Sequence, residues 1–101
     1  MSKVASIFSI EFETPEEVAD FTKYVASKHD AFSQDLEQLT QVRISDTSVM
    51  VIQVHPNQDS LDHYESEFQK VRDENPVSPK DWVKLEGPVT YMLHHTKYIN
   101  V

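Results

Sequence analysis

Apolar residues recur along this chain in two rhythms. Between Val4 and Phe12 the period is two: Phe8, Ile10 and Phe12 share one face, with Ile7, Ser9 and Glu11 on the other, which predicts a strand. Thr14, Pro15, Glu16 and Glu17 then read as a helix start. Thr14 can cap the free backbone donors, Pro15 suits the first helical position and Glu17 can complete a capping box. Val18, Phe21 and Val25 follow at helical spacing with Ala19 and Ala26, so one stripe is buried and the helix runs to about His29 or Phe32. Ser33 to Leu39 either extends it or forms a short turn that packs Leu36 and Leu39. Alternation returns over Thr40 to Ile44, with Val42 and Ile44 opposite Gln41 and Arg43, and Ser45, Asp46 and Thr47 supply a hairpin turn.

The stretch Ser48 to Pro56 is apolar on both faces, Val49 and Val51 projecting one way and Met50, Ile52 and Val54 the other, as expected of a central strand. After Pro56, Asn57 to Ser60 offers several helix caps, Asp59 the best placed. Leu61, Tyr64, Phe68 and Val71 mark a second amphipathic helix that Glu74, Asn75 and Pro76 stop. Pro79, Lys80 and Asp81 read as a helical turn carrying Trp82 coreward, within a connection ending near Gly87 and Pro88. Val89 to His95 is the last expected strand, with Val89, Tyr91 and Leu93 opposite Thr90, Met92 and His94; Tyr98, Ile99 and Val101 form a tail with apolar anchors.

The resulting order is strand, helix, strand, strand, helix, strand. Both crossovers prefer the same hand, so the two helices cover one face of a four-stranded antiparallel sheet. Phe8, Ile10, Phe12, Met50, Ile52, Val54, Tyr91 and Leu93 are expected to meet them. Ile7, Val49, Val51 and Met92 are then uncovered, and a second subunit is their natural cover. On this order, on the Ser48 to His55 strand leading into the Leu61 to Val71 helix, and on the late Pro88 to His95 strand, the chain resembles the ferredoxin-like dimeric α/β-barrel superfamily. That group includes antibiotic-biosynthesis-type monooxygenases and related haem-binding proteins. The resemblance spans Ile7 to His95 and implies an α+β fold, a ferredoxin-like βαββαβ antiparallel sheet with two helices on one face, forming a dimeric α/β barrel with a pocket in each subunit.

Composition narrows the function. The 101 residues fit one domain over 1–101, with no linker or repeat to divide them. Without cysteine there are no disulfides and no thiolate chemistry, and the start lacks a secretory pattern, so a cytoplasmic protein is expected. Seventeen acidic side chains against nine Lys and Arg give a net charge of -8, with the basic residues scattered, which makes nucleic acid or an anionic membrane a poor partner. A single glycine leaves no phosphate loop, and no serine sits in a nucleophile-elbow pattern.

The less apolar strand face collects Ser9, Glu11, Arg43, Gln53, Thr90 and His94, an odd set to bury unless these groups bind a ligand or each other. As a site, Arg43 would clamp a carboxylate or enolate, His94 would relay a proton near neutral pH, and Glu11 or Gln53 would orient it. The plainer account pairs Arg43 with Glu11 and leaves the rest at a dimer seam or in solvent. His63 shares a helix face with Asp59 and Glu67 and is a third catalytic candidate, although the spacing is common and no metal is expected. His55 ends the central strand at a pocket mouth or helps the turn after it. His94 and His95 point to opposite faces and cannot share a metal. Tyr24, Tyr64, Tyr91 and Trp82 either line a pocket for a flat substrate or belong to the core.

The haem-degrading members of the resembling group use a first-strand asparagine, a core tryptophan and a helix histidine. This chain has Ser9 and Glu11 in the first strand, Trp82 late in the chain and His63 as a loose counterpart, so no haem or other cofactor is expected. Two functions remain. One is a homodimer, paired through its open sheet face, that binds a small organic molecule without catalysis. The other is a cofactor-independent monooxygenase-like or isomerase-like enzyme acting on a small aromatic or enolisable substrate, through His94 and Arg43 and with His63 nearby.

Overall fold

A computed structural model describes residues 3–31 and 35–93. The elements are β1 (Val4–Glu11), α1 (Pro15–Lys28) followed by a 3-10 turn over His29–Ala31, β2 (Gln38–Ser45), β3 (Ser48–His55), α2 (Gln58–Glu74) and β4 (Asp81–Pro88). The four strands pair antiparallel in the order β2-β3-β1-β4.

The sheet is open. Its outer strands β2 and β4 do not pair with each other, so it is not closed into the α/β barrel that the resemblance implied. Four strands are too few to curl into a filled cylinder, which takes about eight. What stands is an α+β fold with a βαββαβ order and a two-layer packing.

Local chemistry explains the helix starts. Thr14 Oγ1 accepts the Glu17 N–H at 3.2 Å, and Glu17 Oε1 accepts the Glu13 N–H at 2.9 Å, so the α1 start satisfies two free donors. At α2 the cap is Asn57, not Asp59: its Oδ1 accepts the Ser60 N–H at 2.8 Å from an extended backbone. The acidic side chain of Asp59 instead lies in the first turn, where the helix dipole favours it.

Phe8 pairs with Val51 and Ile10 with Val49, so these four side chains share a face. They pack with Phe12, Val18, Phe21, Tyr64 and Phe68 in one core beneath both helices. This reverses the expected orientation of β3. Val49 and Val51 meet the helices, and Met50 and Ile52 face away; Val54, also on the outer side, is nevertheless buried. With apolar residues on both faces, hydrophobicity alone could not choose, and pairing with β1 decides it.

The last strand also differs. It is Asp81–Pro88, and Val89 to Leu93 continue beyond the sheet without strand structure, with Tyr91 and Leu93 exposed instead of meeting the helices. Trp82 lies opposite Ile10, and Leu85 opposite Ile7. Trp82, Lys84 and Glu86 therefore alternate with Val83 and Leu85 across an edge strand, where charged side chains and a terminal proline are tolerated.

Candidate functional site

The two layers do not meet everywhere. Between α1, α2 and the sheet lies a cavity of about 220 Å³, walled largely by Phe8, Ile10, Phe21, Val25, Val51, Phe68 and Trp82. Four ring pairs wedge its aromatic wall: Phe8 to Trp82 at 5.2 Å and Phe21 to Trp82 at 6.1 Å meet edge to face, while Phe68 to Trp82 at 5.9 Å and Phe8 to Phe68 at 6.4 Å are tilted.

Polar groups interrupt this wall at defined points. His29, from the 3-10 turn, reaches Tyr64 of α2, with Nε2 3.3 Å from the phenol oxygen. Gln53 is 2 % exposed and also lines the cavity. Its Oε1 lies 3.2 Å from His55 Nε2, and His55 Nδ1 lies 3.3 Å from Ser60 Oγ. An amide oxygen only accepts, so Nε2 carries the proton to Gln53 and Nδ1 accepts from the Ser60 hydroxyl. Farther out, Gln41 Nε2 donates to Thr22 Oγ1 at 3.0 Å.

Burial sets the protonation of these groups. It lowers the pKa of His55 against the opposing pull of Glu65, Glu37 and Asp35. It lowers that of His29 against Asp30. Both imidazoles are therefore neutral at pH 7. Burial, and secondarily Glu65, pushes the Tyr64 phenol far above its ordinary range, so it stays protonated. The lining thus combines an apolar enclosure with neutral groups able to donate or accept hydrogen bonds.

Of the residues singled out in the sequence, Gln53, Tyr64 and Trp82 line this cavity and His55 lies directly behind it. Arg43 is exposed at the far end of β2, where Nε donates to the Ser45 carbonyl at 3.2 Å and a terminal nitrogen to the Asp46 carbonyl at 2.7 Å. It spans the hairpin turn and makes no ion pair with Glu11, whose carboxylate accepts from Thr47 Oγ1 at 2.6 Å. Ser9 and Glu11 are on the sheet face away from the helices, His63 is exposed on α2, and Tyr91 is exposed beyond β4. His94 and His95 lie outside the described residues. Among the described residues no group of three or more His, Asp or Glu side chains gathers to hold a metal.

His29 is the cavity group that sequence patterning passed over as a site, reading it as a helix end, whereas Tyr64 was left between pocket and core. Their spacing of 35 residues carries no signal, and only the packing of α1 against α2 joins them.

No family model matches the chain, and no curated protein matches its sequence. Solved structures do resemble it. A protein from Caulobacter crescentus assigned as an antibiotic biosynthesis monooxygenase superposes with a TM-score of 0.71 at 15% identity, over 89% of this chain and 92% of that one. A dimeric ferredoxin-like protein from an uncultured marine organism gives 0.71 at 10% identity, over 93% and 92%. The cofactor-independent oxygenase SnoaB from Streptomyces nogalater gives 0.63 at 16% identity, over 94% and 98%. Architecture, carried over nearly the full length at very low identity, therefore places the chain in the ferredoxin-like fold that antibiotic-biosynthesis-monooxygenase-like proteins share.

Proposed function

We propose that this protein binds a small, flat, largely apolar organic molecule between its helices and its sheet. The observation that carries this reading is the cavity itself, an apolar enclosure whose polar interruptions include His29, Tyr64 and Gln53. Its volume of about 220 Å³ is below the usual range for drug-sized ligands. Apolar cavities of roughly 150 Å³ hold a benzene ring, so one or two fused rings suit the space. A hydroxyl or carbonyl on such a molecule would find neutral donors and acceptors at the wall.

Calorimetric titration with 2-naphthol tests this. Binding to the unmodified protein is expected, with the single tryptophan, Trp82, shifting its indole N–H resonance. Val25→Phe fills part of the cavity and should weaken affinity at least about tenfold, or about 1.4 kcal/mol. Unchanged affinity in that variant would sink the reading.

A second reading, cofactor-independent oxygenation, is favoured by the neutral His29 imidazole at the wall and by the architecture shared with SnoaB. Here an enolisable aromatic gives a proton to His29 as its enolate forms. Molecular oxygen then places one atom on the ring carbon as a carbonyl, and the other leaves as water with the two hydrogens lost. Oxygen uptake with such a substrate, abolished in His29→Asn while 2-naphthol still binds, separates the two readings. The same assay on His94→Gln and Arg43→Gln tests the proton relay and anion clamp expected from the sequence.

The sheet face turned from the helices supports a homodimer. Val83 and Leu85 are 50% and 66% exposed there, Val42 is 43% exposed, and Ile7, Met50 and Ile52 lie half-buried among them. An apolar surface of that extent is the kind that a second copy of the chain covers, and the marine relative is itself dimeric.

A further inference from the structure

On the outer side of the aromatic wall, between α2 and β4, a groove of about 230 Å³ shares Phe8, Phe68 and Trp82 with the cavity but adds charged groups. Its charges are unevenly matched. Lys84 Nζ lies 2.6 Å from Glu65 and 3.2 Å from Glu86, so those three neutralise one another in part. Arg72 lies over the Trp82 indole, its Cζ 3.8 Å from the ring centroid, and it makes no salt bridge with a carboxylate among the described residues. The neighbouring Asp73 carboxylate accepts from Gln69 Nε2 at 2.8 Å.

We propose that this groove is a binding site for a planar organic anion, an aromatic carboxylate, with Arg72 as its charge partner and the Phe8, Phe68 and Trp82 rings as its floor. Stacking occupies the face of a guanidinium and leaves the N–H fork at its edge, which matches a carboxylate in two parallel hydrogen bonds. Contact with the Trp82 ring restrains the Arg72 side chain before any ligand arrives, so less side-chain freedom is lost on binding. Burial also lowers the Arg72 pKa, against Asp73, which reflects partial desolvation of its charge, and an anion in the groove compensates for that loss.

The test compares 2-naphthoate with its neutral isostere 2-naphthamide by calorimetry. The unmodified protein should bind naphthoate at least about tenfold more tightly, and Arg72→Gln should abolish that difference while leaving naphthamide affinity unchanged. Equal affinity for the two probes in the unmodified protein, or a preference that survives Arg72→Gln, overturns the proposal. Val25→Phe separates this site from the inner cavity. Naphthoate binding that persists in Val25→Phe supports the groove, and naphthoate binding lost there overturns it in favour of the cavity.

Discussion

At the scale of single residues, the most consequential side chain is His55. It is fully buried, and both its ring nitrogens are engaged. Its lowered pKa makes stability depend on pH with a definite sign. The unfolded chain binds a proton near pH 6.5, while the folded chain resists until a lower pH. Stability contributed by the neutral ring is therefore complete above about pH 6.5 and is lost as pH falls through the folded pKa. His29 adds an effect of the same sign. Urea unfolding at about pH 7.5 and about pH 5 should show a lower midpoint in acid. His55→Gln should flatten that difference, and an unflattened profile would assign it to other groups. Arg43 belongs to this scale as well. Its contacts with the Ser45 and Asp46 carbonyls predict that Arg43→Ala weakens the hairpin by about 1 kcal/mol or less, measured by the same unfolding.

At the scale of elements, α2 carries more than its own packing. Asn57 caps it through the Ser60 N–H, and the Ser60 hydroxyl then holds His55 at the end of β3. Asn57→Ala should cost about 1 kcal/mol in thermal or urea unfolding. It should also shift the His55 ring resonances, which a cap acting on the helix alone would leave in place. Leu61 in the same helix is fully buried, and Leu61→Ala should cost about 2 to 5 kcal/mol. The helices were legible in the sequence because capping and the i, i+3, i+4 stripe are local signals. The strand β4 was not. Pro79, Lys80 and Asp81 resemble a helix start, and Gly87 with Pro88 resembles a turn, so the alternation of Trp82 to Glu86 between them is short and easily read as a connection.

At the scale of the whole molecule, the two sheet faces have different fates. The helix-side face is closed by Val18, Phe21, Tyr64 and Phe68, and the other face, Val54 apart, keeps its apolar side chains exposed or half-buried. Proposed pairing through that second face predicts that Leu85→Lys shifts the protein from dimer to monomer in sedimentation, with far-ultraviolet circular dichroism unchanged. A dimer that persists would place the interface elsewhere.

The sequence by itself determined the element order, the two amphipathic helices, the central place of β3 and the existence of an unpartnered apolar sheet face, because each follows from periodicity or capping within a few residues. Only the tertiary structure decided which face of β3 turns inward, since Val49 and Val51 compete with Met50 and Ile52 on nearly equal terms and pairing with β1 breaks the tie. It also decided that the sheet stays open, because strand number and edge pairing are properties of the assembled layer. The cavity was beyond reach for the same reason. Gln53, His55, Tyr64 and Trp82 could be named as lining candidates, but His29 joins Tyr64 and Trp82 only across up to 53 residues of chain, and nothing local in the sequence encodes where two packed layers fail to touch.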